Sequence, residues 1–163
     1  MTIYYHTLET AIGNIHIAAD ANNLLVVTFA DNNWERIKKN YSDIQHKKNR
    51  IITKTEEQLL EYFAEVRTEF TLPIAFSGTE FQMKTWQALL TIPYGETRSY
   101  SDQATIIGNP KAVRAVGRTN GLNPIGIVVP CHRVIGKSGK LTGYAGGLDI
   151  KEFLLRLEGH FNK

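Results

Sequence analysis

The sequence predicts an α+β protein, with a small N-terminal three-stranded antiparallel sheet and its helix, then a mostly helical C-terminal domain carrying a helix-turn-helix. Three observations predict it. Apolar residues alternate with polar ones only near the start, where Ile15 and Ile17 interleave with Asn14 and His16. Beyond residue 78 the apolar residues recur at helical spacing, and candidate caps, Thr79 with Gln82 and then Ser99, precede them. The charge also divides: residues 1–79 hold 8 Lys/Arg against 10 Asp/Glu, and residues 80–163 hold 11 against 6. We therefore expect two domains, 1–77 and 78–163.

Residues 2–8, 13–19 and 23–30 read as three strands, with Asn22-Asn23 as a turn before the apolar run Leu24–Phe29. His6 and His16 are expected on the surface of this meander. Residues 31–54, rich in Asn and Lys, read as an exposed linker that includes Lys47-Lys48-Asn49-Arg50. Thr55 to Val66 reads as a helix capped by Thr55 with Gln58, its apolar face Leu59, Leu60, Phe63 and Val66. A connector with Pro73 and Gly78 closes the first domain.

Thr79 with Gln82 caps the next helix, whose Met83, Trp86, Leu89 and Leu90 form its apolar side. Pro93-Tyr94-Gly95 ends it. Ser99 caps a short helix running to about Ile107; Asn109 caps a second, with Pro110 at its first position. Two short helices across Gly108 describe a helix-turn-helix. Lys111, Arg114 and Arg118 stand at i, i+3 and i+7, a basic stripe. The apolar run Ile125–Val129 reads as a buried strand, Gly136–Gly143 as a hairpin or wing. The last helix is expected to be capped by Asp149 with Glu152, to bury Ile150, Phe153, Leu154 and Leu157, and to stop at Gly159. Glu158 in its last turn is opposed by the helix dipole, so it is either solvated or buried with a partner.

Cys131 is the single cysteine. One cysteine excludes an internal disulfide and a Cys-rich zinc site and suits a reducing compartment. The N-terminus Met1-Thr2-Ile3-Tyr4-Tyr5-His6 carries no secretion signal, and no apolar run reaches the length of a membrane span, so a cytoplasmic location is expected. By composition a lone cysteine is a small buried hydrophobe. Its surroundings, Val129-Pro130-Cys131-His132-Arg133-Val134, also suit a thiol activated by neighbouring bases.

Pro130-Cys131-His132-Arg133-Val134 resembles the active-site motif of the O6-alkylguanine-DNA alkyltransferases, also called methylated-DNA–protein-cysteine methyltransferases. The resemblance runs from Gly78 to His160 through Phe81-Gln82, Trp86, Ile92-Pro93-Tyr94-Gly95, Ser99-Tyr100, Gly108-Asn109-Pro110, Arg114-Ala115-Val116-Gly117, Asn123-Pro124, Tyr144-Ala145-Gly146-Gly147 and Glu158-Gly159-His160. It implies a ribonuclease-H-like first domain and a winged-helix-like second one. It implies irreversible transfer of an alkyl group from O6-alkylguanine in duplex DNA, with O4-alkylthymine as a second candidate lesion, to Cys131 after nucleotide flipping. In that scheme His132 accepts the thiol proton through a water, Glu158 orients His132, and Asn123 shapes the active-site turn. Val129, Val134, Tyr144, Ala145 and Gly146 form the base pocket, Ala145 standing where several members have serine. Tyr144 donates to the departing oxygen. Arg114 fills the hole left by the flipped base, Tyr100 crowds its phosphate, and Ala115 and Gly117 allow close approach. Lys111, Arg118 and Arg133 complete the DNA contacts. No cofactor and no metal are expected, the partner is double-stranded DNA, and the protein is expected to be a monomer. Two other classes remain open: a lesion-binding protein without chemistry, and a cysteine hydrolase that turns over on small esters or peptides.

Overall fold

The computed structural model describes the whole chain except Ala30, Gly143, Ala145, Gly146, Phe161, Asn162 and Lys163, and except the side chain of Asn32. It is α+β and forms two compact units. The first contains Met1–Phe76 and Pro124–Val128, the second Ser77–Asn123 and Val129–Lys163. A single break after residue 77 misses this return of the chain to the first unit.

In the first unit β1 (Ile3–Thr10), β2 (Gly13–Ala19) and β3 (Leu24–Thr28) form the expected antiparallel meander. The sheet has four strands, not three: β4 (Ile44–His46) adds parallel to β1, pairing Ile3 with Ile44. The predicted linker also contains a helix, α1 (Asp31–Lys38). Its Trp34 and Ile37, at i and i+3, pack on Ile3, Ala18 and Val26. His16, expected at the surface, is buried between Thr7 Oγ1 (2.8 Å) and Asp31 Oδ1 (2.6 Å) and stacks on Trp34. His6 bonds Glu56 of α2 (Arg50–Phe63) at 2.7 Å.

The start of α2 also differs from expectation. Asn49 is its cap, accepting from Ile52 N–H, while its amide donates to Asp20 O. That places Thr55 inside the helix, its hydroxyl turned onto Ile51 O. The helix buries Ile51, Ile52, Leu59 and Tyr62, and leaves Leu60 outside. Pro124–Val128 docks on β3, Val27 N–H donating to Pro124 O and Gly126 N–H to Val27 O. A Cβ on Gly126 would stand 2.8 Å from the ring of Phe29. This stretch is buried but is not the expected strand: only Ile125 bridges to Val27, and Val128 N–H turns back onto Gly126 O.

In the second unit α3 (Glu80–Leu89) starts at the predicted Thr79/Gln82 capping box. It buries Trp86 and Leu89 and exposes Leu90. Trp86 Nε1 donates to Thr119 O of α5 (Val113–Asn120). The short strand β5 (Arg98–Ser99) leads to α4 (Tyr100–Ile106), which a Ser99/Asp102 box caps. Gln103 of α4 and Asn120 of α5 exchange two amide hydrogen bonds in the interior (2.9 and 2.7 Å), fixing the helix pair. The second helix begins at Val113, so Asn109 does not cap it and Pro110 lies in the preceding turn. A single 3₁₀ turn, Cys131–Arg133, runs into β6 (Val134–Ile135), parallel to β5. The wing is a tight turn closed by Gly136 N–H onto Lys140 O. The last helix, α6 (Leu148–Leu157), begins after Gly147 with no side-chain cap, contrary to the predicted Asp149 cap. It buries Lys151, Leu154 and Leu155, exposes Phe153, and ends at Gly159, which adopts a positive φ of 84°.

Candidate active site

The thiol is delivered by backbone turns. Pro130 sits at φ −83°, ψ 65°, and Cys131 N–H donates to Val129 O at 2.9 Å, an inverse γ-turn. The 3₁₀ turn then buries Cys131, His132 and Arg133 together. Asn123 holds the entry, donating from Nδ2 to Val129 O at 2.8 Å, and its side chain also hydrogen-bonds the thiol.

Glu158, at the end of α6, is the hub. Its Oε2 lies 2.7 Å from His132 Nε2. Arg133 Nε donates to Oε1 at 2.8 Å and Nη2 to Oε2 at 3.0 Å, and Gly95 N–H donates to Oε1 at 3.4 Å. Burial pushes this carboxyl up, but the bonds and charges of His132 and Arg133 reverse that and hold it far below the usual carboxylate range. Of the two readings of Glu158, the buried one with partners is therefore the one found. Because a carboxylate only accepts, Nε2 of a neutral His132 carries the proton and Nδ1 is a bare acceptor. Nδ1 is buried and bonds no described residue. Burial lowers the His132 pKa, with Glu158 opposing, so the ring rests neutral. Burial raises that of Cys131, opposed by Asn123 and by the charge of Lys151. The resting pair is a thiol beside a neutral acceptor, the protonation states that general-base activation requires.

Arg133, expected to contact DNA, is turned inward. Its guanidinium is buried, forked on Glu158, with Nη1 donating to Ile92 O at 2.7 Å. The planar fork matches one carboxylate, which consumes it. Lys111, Arg114 and Arg118 are exposed, but Lys111 precedes α5, so the stripe is only partly helical. Ala115 and Gly117 are half-buried. Tyr100, Gly117, Arg118, Val113, Gly121, Thr142 and Tyr144 line one cavity of about 430 Å³. Thr142 Oγ1 donates to Tyr100 Oη at 2.9 Å. Burial, then the neighbouring Cys131 and Glu158, push the Tyr144 phenol well above its usual range, so it stays a proton donor. Val129 and Val134 are fully buried and do not line this cavity. Val129 O already accepts from Asn123 and Cys131. Ala145 and Gly146 lie outside the described residues.

Sequence reasoning missed Lys151, which is fully buried and donates to Val134 O (2.6 Å) and Thr142 O (2.8 Å). The available signal was its place on an apolar stripe, with Leu154, Leu155 and Glu158 at i+3, i+4 and i+7. Among the described residues, no group of three or more His, Cys, Asp or Glu is arranged to hold a metal. Among them, too, no helix is long and apolar enough to cross a membrane.

Comparison with known proteins bears on both units. Residues 3–76 match the "6-O-methylguanine DNA methyltransferase, ribonuclease-like domain", and residues 80–160 match the DNA binding domain of the same name. A methylated-DNA–protein-cysteine methyltransferase of Methanosarcina acetivorans is 50% identical over 96% of this chain and 99% of its own. The constitutive Bacillus subtilis protein of that name is 47% identical over 95% and 94%. The crystal structure of the Mycobacterium tuberculosis O6-methylguanine methyltransferase superposes with a TM-score of 0.86, at 44% identity over 96% of this chain and 93% of that one. Another from that organism, solved in complex with DNA, gives 0.83 at 43% identity, covering 95% and 92%.

Proposed function

Since the chain belongs to the 6-O-methylguanine DNA methyltransferase family, we propose that it repairs O6-alkylguanine in duplex DNA by moving the alkyl group irreversibly onto Cys131. The observation that carries the site assignment is the buried pair of His132 Nε2 and Glu158 at 2.7 Å, which leaves Nδ1 a buried acceptor that bonds no described residue, on the residue next in the chain to Cys131. His132 takes the Cys131 proton, through a water or directly. The sulfur lone pair forms the C–S bond as the bond from carbon to O6 breaks. Tyr144 protonates the departing guanine oxygen and regains its proton from His132 through solvent, so the thiol proton ends on the base.

The reacting carbon lies inside the stack, so the nucleotide must be flipped, at a cost of a few kcal/mol. Arg114 fills the vacated stack, Tyr100 crowds the phosphate, Lys111 and Arg118 contact phosphates, and small Ala115 and Gly117 let the helix approach. The flipped base occupies the cavity bounded by Tyr100 and Tyr144. A thioether is a poor leaving group, and no second cysteine exists to resolve it. Each molecule thus acts once, as a monomer, in the cytoplasm, where a free thiol stays reduced. Intact mass after incubation with O6-methylguanine duplex tests this: one added methyl per chain supports it, and no mass gain refutes it.

A further inference from the structure

Lys151 is a buried cation to which the mechanism above assigns no task. Its ammonium is fully buried, and its two hydrogen bonds go to the Val134 and Thr142 carbonyls. Its nitrogen stands 5.8 Å from the Tyr100 ring centroid. Carbonyl dipoles and a ring face carry only partial charge, and among the described residues no carboxylate pairs with it. Burying an ammonium without an anion is costly. Desolvation accordingly lowers its pKa from 10.5 to about 8, and the one group that draws it back up is Cys131. The charge of Lys151 in turn lowers that of the Cys131 thiol and, together with Arg133, disfavours protonated His132. Its bond to Val134 O ties it to the end of the 3₁₀ turn that carries Cys131 and His132, where Val134 N–H donates to Cys131 O, and the Tyr100 ring of α4 lies against it.

Taking Cys131 as the alkyl acceptor, we propose that Lys151 is the counter-charge of the Cys131 thiolate, held unbalanced at rest and matched only while the sulfur is anionic. An interaction stronger in the attacking state than at rest accelerates the step, which uniform binding does not. The proton balance is that already given: S–H breaks, His132 takes the proton, and the thiolate faces the ammonium until the C–S bond forms and its charge passes to the departing oxygen, where the Tyr144 proton neutralises it.

The test uses the single thiol, whose ultraviolet thiolate absorbance reports Cys131 alone. The full-length protein is titrated as wild type, Lys151→Gln, which keeps a donor and loses the charge, and Lys151→Arg, which keeps both. The thiol midpoint should rise by about one unit or more in the Gln variant and stay near wild type in the Arg variant. Single-turnover methyl transfer at neutral pH should fall about tenfold with the thiolate fraction, and the wild type should lose this advantage above about pH 8, where Lys151 discharges. Should the variants not fold, the Lys151 ε-carbon resonance is followed against pH in wild type and Cys131→Ala. Its midpoint should fall when the thiol is removed. An unchanged thiol midpoint in the Gln variant, or an unchanged Lys151 midpoint without the thiol, overturns the counter-charge. Shifted midpoints in a protein that takes no methyl from DNA overturn the alkyl-acceptor reading alone.

Discussion

At the scale of single residues, Glu158 decides most of the site. One carboxylate fixes the His132 tautomer, neutralises Arg133 and caps the Gly95 turn. Its folded pKa is depressed, so its stabilising contribution is present above the unfolded value near 4.5 and is lost only as pH falls through the lower folded one. Glu158→Gln should therefore cost stability at pH 7 and very little in strong acid, where the wild-type carboxyl is protonated too. Urea midpoints at the two pH values check it, and an equal loss at both would remove the charge from the explanation. Cys131→Ser should abolish transfer while retaining lesion binding, because serine ionises far less readily; filter binding alongside a transfer assay separates the two. The Cys-His-Arg run and Glu158 were legible from the sequence because they lie in short ordered motifs. The burial of Arg133 was not, since a guanidinium beside a nucleic-acid motif looks like a phosphate ligand until its carboxylate partner 25 residues away is seen. Lys151 was missed for the opposite reason: lysine on a helix is ordinarily solvated, and its place on the apolar stripe of α6 was the one sign against that.

At the scale of elements, the caps expected at Thr79 and Ser99 form, whereas those expected at Thr55, Asn109 and Asp149 do not. Both the Thr79/Gln82 and Ser99/Asp102 boxes form, so α3 and α4 start where local chemistry sets them. Elements defined by tertiary packing were missed. β4 is three residues long, too short to show a period, and exists because β1 offers it an edge. α1 has a polar sequence, and among its described side chains Trp34 and Ile37 are the ones packed in the core. Asn49 outcompetes Thr55 as the α2 cap because Ile51 and Ile52 then reach the interior. For α5 the consequence is functional. Arg114→Ala should slow repair of duplex DNA far more than reaction with free O6-benzylguanine, which needs no flipping; equal losses on both would remove the arginine from that role. Replacing Lys111 or Arg118 by alanine should reduce the slope of log affinity against log salt by about 0.9 for each phosphate that is no longer neutralised, read from binding curves at several salt concentrations.

At the scale of the whole molecule, chemistry and stability are coupled through the enclosure of Cys131, which is 8% exposed. Methylation enlarges the side chain by one methyl. Overpacking a tight site costs roughly 1–3 kcal/mol. For a chain of this size each kcal/mol moves Tm by about 2–4 °C, so the spent protein should melt several degrees below the unreacted one once the DNA is removed. A melt of one preparation before and after reaction checks this, and an unchanged Tm would mean that the thiol is not closely enclosed. The proposed chemistry itself is narrow: one alkyl group, on one sulfur, once. It is tested most directly by incubating the protein with excess duplex bearing a labelled O6-methylguanine, then digesting it and locating the label by mass spectrometry. S-methylcysteine at Cys131 and a plateau of one methyl per chain are expected, whereas label on another residue, or continued release of product beyond one equivalent, would contradict single transfer to this thiol.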